Sequence, residues 1–132
     1  MTNGATYITS DAGNDLSLLQ LNPLPPGTYT FAGLDASTAK PLKPYSVHHP
    51  DGSHMRYAKK NSGRATSVGN YWKVVWSAGA LEPGSSGGGL WNNSNLLVGQ
   101  AYESVISCPP DGWTKFGKMS YTWPRIQPYL CP

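Results

Sequence analysis

The sequence predicts an all-β domain, and two features of its composition say so before any segment is read. Charge is sparse, with 13% Asp, Glu, Lys and Arg, and 5 Trp and 8 Tyr are combined with 15 Gly and 12 Pro. Aromatic residues favour strands, whereas Gly and Pro interrupt helices and supply turns, so the mixture reads as short strands joined by many bends. At 132 residues the chain is expected to form one domain, 1–132, able to bury a single core without a metal.

Taken in order, Thr6-Tyr7-Ile8-Thr9 reads as a strand and Ser10-Asp11-Ala12-Gly13-Asn14 as the turn after it. Asp15-Leu16-Ser17-Leu18-Leu19-Gln20-Leu21 is mostly apolar and is expected as a strand packed on both faces, with Asp15 at its mouth. Pro23, Pro25 and Pro26 cannot donate to a ladder, so 22–27 reads as a connection between layers. Strand-like runs follow at 28–32, 45–48 and 55–59, and the polar, Gly-containing stretch 61–70 reads as a loop. Tyr71-Trp72-Lys73-Val74-Val75-Trp76 carries the strongest strand signal. A strand at 96–102 is entered through the turn Asn92-Asn93-Ser94-Asn95, and 116–121 is expected as the last strand. Pro124, Pro128 and Pro132 leave room for at most a turn or two of helix in the tail.

The formal net charge is +3, and the ten basic residues are scattered from Lys40 to Arg125 without a run, which argues against nucleic acid as a partner. No apolar stretch approaches the length of a membrane span. The first residues have neither a basic n-region nor an apolar h-region, so no membrane anchor or export signal is expected and the location is left open. Cys108 and Cys131 are spaced for neither zinc nor CxxC redox chemistry, leaving one disulfide or two thiols as the alternatives. No metal and no cofactor is expected.

The stretch Glu82-Pro83-Gly84-Ser85-Ser86-Gly87-Gly88-Gly89-Leu90 is built like a nucleophile loop. Small neighbours leave the Ser86 hydroxyl uncrowded, and glycine at 84 is free to adopt angles that turn two N–H groups toward one point, as an oxyanion hole requires. The alternative is a plain Gly/Ser turn between strands.

Three pieces point further: Asn14-Asp15-Leu16-Ser17-Leu18-Leu19-Gln20-Leu21, then His48-His49-Pro50, then Trp76 followed by Glu82-Pro83-Gly84-Ser85-Ser86-Gly87. Together with Leu97-Val98-Gly99-Gln100, Phe116-Gly117-Lys118 and Thr122-Trp123, they resemble the trypsin-like serine endopeptidases, most closely the bacterial lysyl endopeptidase branch, across nearly all of the chain. The resemblance implies an antiparallel six-stranded Greek-key barrel, the second barrel of that fold, with an extra N-terminal strand and a short C-terminal turn or helix. It implies Ser86 as nucleophile, Asp15 as triad carboxylate, and the N–H groups of Gly84 and Ser86 as oxyanion hole.

In the resembled family the triad histidine lies in an N-terminal barrel, well before the aspartate strand, and only fourteen residues precede Asp15 here. That barrel is expected to be absent. His48 and His49 match a motif of the second barrel and are expected to be structural, and His54 to be solvated in a turn. A serine without a base is a weak nucleophile, because its proton has nowhere favourable to go during attack. The resemblance therefore implies a half-domain that is inactive alone or completed in trans, by a homo-oligomer or companion chain covering the missing-barrel face, and that acts on a peptide or protein. The family is secreted by bacteria.

Substrate selection departs from the family pattern. The family's lysine-selecting aspartate falls on Thr114, with Asp111 nearby, and Tyr102-Glu103 stands where the family has His-Gly, so Thr114, Glu103, Tyr102 and Trp76 are the substrate-pocket candidates. Gly89 replaces the usual proline and is expected to loosen the loop exit. Cys108 matches a family cysteine whose partner lies near the mature N-terminus, and the resemblance implies a rewired Cys108–Cys131 bond. Two other readings compete: a non-catalytic module binding peptides or glycans through Trp72, Trp76, Trp91, Tyr102, Trp113 and Trp123, and a truncated gene remnant.

Overall fold

The computed structural model describes residues 4–23, 26–107 and 111–130. The expected Cys108–Cys131 bond lies outside the described residues. Nine strands precede one helix: β1 Ala5–Asp11, β2 Leu16–Leu21, β3 Tyr45–His48, β4 Arg56–Lys59, β5 Thr66–Val68, β6 Tyr71–Val75, β7 Gly89–Trp91, β8 Leu97–Val105, β9 Trp113–Lys118 and α1 Met119–Leu130. The chain is thus mostly antiparallel β, as expected. β1 and β2 form a separate hairpin, and the other seven strands form one sheet in the order β4-β3-β7-β8-β9-β6-β5. With β6 beside β9 and the meander β7-β8-β9 following, the sheet has Greek-key connectivity.

The expected closed six-stranded barrel needs correction. The sheet has seven strands, and its edge strand β4 meets the segment after β6 at a single bridge, Lys59 to Ala78, where the Lys59 amide donates to Ala78 O at 2.9 Å and the Ser77 amide to Lys59 O at 2.9 Å. Gly79, with φ +75°, turns the chain away just beyond, so no ladder forms there.

Alternation along the strands explains the core. Trp72 and Val74 of β6, Leu90 of β7, Val98 and Ala101 of β8 and Phe116 of β9 point inward and are buried together with Ala58, Trp76 and Leu81. Trp76 meets Phe116 edge to face, with centroids 5.9 Å apart and planes at 83°.

Five further expectations are corrected. Residues 28–32 have strand-forming side chains but belong to no strand among the described residues, and Phe31 is 80% exposed. β propensity is expressed only against a neighbour. The loop expected at 61–70 contains β5, whose exposed Thr66, Ser67 and Val68 pair with β6. The last strand is Trp113–Lys118, so the run expected at 116–121 ends in helix. That helix continues for 12 residues through Pro124 and Pro128; both prolines are exposed, while Met119, Thr122 and Ile126 are buried on the opposite stripe. Nor is β2 packed on both faces, since Leu19 and Leu21 are exposed.

What ties the hairpin to the sheet is its tip. Asn14 is fully buried, and its Nδ2 donates to Lys118 O at 3.1 Å while Gln100 Nε2 donates to Asn14 O at 2.9 Å. Tyr71 Oη donates to Gly13 O at 2.9 Å, and Arg125 donates to Ser10 O at 2.7 Å. Residue 117 has to be glycine for this docking, because a Cβ there would overlap the Asn14 carbonyl oxygen and the Gln100 amide. Gln100 and Gly117, each set in one of the motifs quoted above, therefore act on the turn that carries Asp15.

Candidate active site

The 81–88 loop owes its shape to two glycines and two anchors. Gly84 has φ +89° and Gly87 φ +80°, angles that L side chains rarely adopt. A Cβ on Gly84 would also come within 3.0 Å of Asp51 N and 3.2 Å of His49 O, so glycine is required there by close approach as well. The Asp51 amide donates to Pro83 O at 2.6 Å, which fixes the loop entry against the His-His-Pro segment. The exit is held by Gly87 N to Ala101 O at 2.9 Å and Ala101 N to Gly88 O at 2.8 Å. Although glycine at 89 is expected to loosen this exit, Gly89 pairs with Gln100 as the first residue of β7, and Ser46 Oγ donates to its carbonyl at 2.8 Å.

Within the loop, the amide of Ser85 donates to Glu82 O at 3.1 Å and that of Gly88 to Ser85 O at 2.9 Å. Among the described residues no acceptor takes the amide of Gly84 or of Ser86. Ser86 itself is exposed. Ser85, its neighbour, points the other way: it is buried, and its Oγ lies 2.8 Å from Nδ1 of His48, itself 3% exposed. Among the described residues the buried His48 Nε2 has no hydrogen-bond partner. Burial pushes the His48 pKa below the ordinary 6.5, Glu82 pulls it upward and His49 lowers it, with burial the largest effect. His49 and His54 are exposed.

Ser85 and Ser86 open onto a cavity of about 280 Å³ whose far wall is Tyr102, Ser104 and Ile106 of β8. The register explains this wall. Ala101 stands opposite inward-facing Phe116, but a bulge follows, so that Glu103 stands opposite outward-facing Lys115 and Ser104 opposite Thr114. The bulge reverses the alternation, bringing Tyr102, Ser104 and Ile106 to the cavity and sending Glu103 to the surface, where its carboxylate accepts from Lys115 Nζ at 2.7 Å. Thr114 and Trp76 lie one layer behind: both are buried, the Trp76 indole N–H donates to Thr114 Oγ1 at 2.9 Å, and Ser104 Oγ donates to the same atom at 3.0 Å. Of the four pocket candidates, only Tyr102 lines the cavity. Asp111 is exposed. Ser85, Ser104 and Ile106 carry no sequence signal as lining residues, although the alternation Tyr102, Ser104, Ile106 could have found the last two if the bulge had been foreseen.

Asp15 is exposed at the docked turn, in a left-handed conformation with φ +51° that Asp tolerates better than most residues. Its charge helps raise the Tyr71 phenol above its usual pKa, after burial and the neighbouring Tyr102. Tyr71 stacks on Tyr102, with centroids 4.9 Å apart and planes at 19°. From Asp15 to the serine cavity, the surface is therefore continuous through these two tyrosines.

The expected aromatic stacking platforms are mostly covered. Trp72 and Trp76 are buried, and Trp91, Trp113 and Trp123 half-buried, with Lys73 4.4 Å and Lys115 5.2 Å from the Trp113 ring centre. Among the described residues no group of three or more His, Cys, Asp or Glu is placed to hold a metal ion, and no helix is long and apolar enough to cross a membrane.

With this geometry in hand, residues 1–115 match the family model described as lysyl endopeptidase, C-terminal domain. The chain is 32% identical, over 147 aligned positions, to a lysyl endopeptidase of Pseudomonas aeruginosa, an alignment covering 100% of this chain and 31% of that protein. It therefore spans less than a third of that relative's length. Among solved structures, the active form of the Rv3671c protease from M. tuberculosis superposes with a TM-score of 0.64 at 15% identity, over 93% of this chain and 57% of that one. An inactive form gives 0.61 at 17% identity, over 94% and 66%. These two share the fold.

Proposed function

Because the chain belongs to the lysyl endopeptidase C-terminal domain family, we propose that it is the nucleophile-bearing half of a serine endopeptidase site, with Ser86 as attacking group, the Gly84 and Ser86 amides as oxyanion hole and Asp15 as carboxylate. The observation that carries this reading is the pair of amides at Gly84 and Ser86, which have no acceptor among the described residues while the Ser85, Gly87 and Gly88 amides of the same bend are bonded, beside the exposed Ser86 at the mouth of a cavity. A peptide carbonyl in that cavity is attacked by Ser86 Oγ, and the oxygen that becomes negative is received by the two N–H groups.

The base that takes the Ser86 proton comes from outside the three histidines described. His48 is committed to Ser85, and His49 and His54 are turned to solvent. In this reading Asp15 orients and stabilises an imidazole delivered by a further segment or a companion chain. Exposed Tyr7, Leu19 and Leu21 on the hairpin and Tyr129 and Leu130 on α1 support a partner surface there, around an apolar cavity of about 210 Å³. Light scattering after size-exclusion chromatography tests the partner: self-association or capture of a histidine-bearing segment supports it, and a monomer that takes up neither sinks it.

The chemistry is tested by labelling with a fluorophosphonate probe, with and without free imidazole as a surrogate base. Labelling is expected to be slow for the chain alone, accelerated by imidazole, and absent in Ser86→Ala. Equal labelling of Ser86→Ala, or none at any imidazole concentration, overturns the assignment of Ser86.

A further inference from the structure

We infer that His48 is a positioning residue of this site, which through Ser85 holds the nucleophile loop in its oxyanion-receiving shape while its imidazole is uncharged. The inference rests on the proposed role of Ser86. It starts from topology: His48 closes β3 and Ser85 follows the Gly84 bend, 37 residues later, yet their side chains meet at 2.8 Å and both are buried. Ser85 lies between the two residues whose amides are unpaired. Rotating its side chain out of the core turns the peptide planes on either side of it, and those planes carry the Ser86 amide and the carbonyl next to Gly84. The His48 contact therefore fixes the direction of the Ser86 N–H, while the Asp51 amide, bonded to Pro83 O, fixes the plane that carries the Gly84 N–H.

Packing reinforces the contact. A Cβ on Gly88 would lie 3.4 Å from the His48 Cβ, and the Asp51 amide holds Pro83 O on the other flank of the loop. The 48–51 segment thus grips the loop at three points, and only the Ser85 contact involves a group that can change charge near neutral pH.

The unpartnered Nε2 supplies the sensitivity. An uncharged imidazole can share one proton with Ser85 Oγ through Nδ1. A charged one must carry N–H on both nitrogens, and the second would be buried with no acceptor among the described residues. The charged and titratable groups acting on this ring are Glu82, which precedes the loop and favours the charged form, and His49, its chain neighbour, which opposes it; burial outweighs both. Acidification therefore leaves His48 to break its contact and seek solvent, and the loop loses its hold.

The test uses the chain as it stands, with two independent readouts. Amide NMR shifts of Gly84 and Ser86 and hydrogen exchange of the bonded Ser85 and Gly88 amides report loop shape without any chemistry, and imidazole-rescued fluorophosphonate labelling reports reaction. Ser85→Ala and His48→Leu are expected to shift the Gly84 and Ser86 amides, speed exchange of the bonded Ser85 and Gly88 amides about tenfold, equivalent to losing one buried hydrogen bond, and slow labelling to a similar degree. His48→Asn, whose side-chain amide places nitrogen near the Nδ1 position, is expected to restore both readouts and to remove the acid-side change seen in the parent chain between pH 7 and 5. Ser85→Ala, a small change in a folded loop, keeps the test open if His48→Leu does not fold. Unchanged Gly84 and Ser86 amides in Ser85→Ala, or an acid-side change retained in His48→Asn, overturns the inference. If labelling fails in every protein while the amides respond as described, the clamp stands and the nucleophile assignment falls.

Discussion

Replacing Gly117 by alanine tests whether the Asp15 turn is held by the main sheet. A Cβ at 117 overlaps the Asn14 carbonyl oxygen and the Gln100 amide, and lies 2.9 Å from Asn14 Cγ, so the turn has to lift. Lifting breaks the Gln100-to-Asn14 and Asn14-to-Lys118 hydrogen bonds and strands the Asn14 carbonyl and side-chain amide, which are buried in the docked turn. Two such bonds at about 1 kcal/mol each, plus about 1–2 kcal/mol for stranded polar atoms, give a loss of roughly 3–4 kcal/mol. About 0.5–1 kcal/mol returns because alanine restricts the unfolded chain, leaving a net loss of roughly 2–3 kcal/mol. For a domain of this size that corresponds to a Tm lower by about 8–12 °C, read by calorimetry at fixed pH. Hydrogen exchange at Gly13 and Asn14 should accelerate in step. A Tm within about 2 °C of the parent, with unchanged exchange at the turn, would falsify the docking argument.

Other perturbations follow the same logic. His48 titrates lower in the folded than in the unfolded chain, so the unfolded state takes the proton first; its contribution to stability is complete above about pH 6.5 and declines as pH falls below that value. Chemical denaturation of the parent and of His48→Asn across pH 5–8 should show a slope difference confined to the acid side of 6.5, and parallel curves would count against a buried neutral imidazole. Trp76→Phe removes the indole donor to Thr114 while keeping most of the ring volume, and is expected to cost about 1–3 kcal/mol by urea unfolding; no change would mean the hydroxyl needs no such donor. Glu103→Gln breaks an exposed ion pair with Lys115 and should cost less than about 1 kcal/mol while leaving imidazole-rescued labelling at Ser86 unaltered. Altered labelling would return Glu103 to the cavity.

Much of the fold was legible because it is written in local alternation. Trp72, Val74 and Trp76 announce β6 by their spacing alone, and the Gly84 to Gly87 bend announces an uncrowded serine. What was not legible depends on partners distant in sequence. Residues 28–32 have the right side chains for a strand yet join no sheet among the described residues, whereas Thr66-Ser67-Val68 has unremarkable ones and pairs because β6 is adjacent. The two tail prolines read as helix breakers, yet both fall on the exposed stripe, where burial of Met119, Thr122 and Ile126 opposite them sustains the helix. At the site, one inserted residue between Ala101 and Glu103 decided which side chains reach the cavity, and no local pattern announces a bulge there. The meeting of His48 with Ser85 was equally hidden, since it depends on how β3 and the loop after β6 come together.

The hairpin β1–β2 is fastened by its tip, while its blades carry the exposed Tyr7, Leu19 and Leu21. This inverts the usual mechanics of a protruding ribbon, whose tip is the part that wanders. Here Asp15 rides on the pinned tip, and the sticky surface lies along the blades. A partner that grasps the blades can pull, twist or let go without carrying Asp15 with it. Under the function proposed above, the alignment problem for such an assembly shrinks, because Asp15 and Ser86 are carried by one chain and the proposed partner has only to bring its own ring to them.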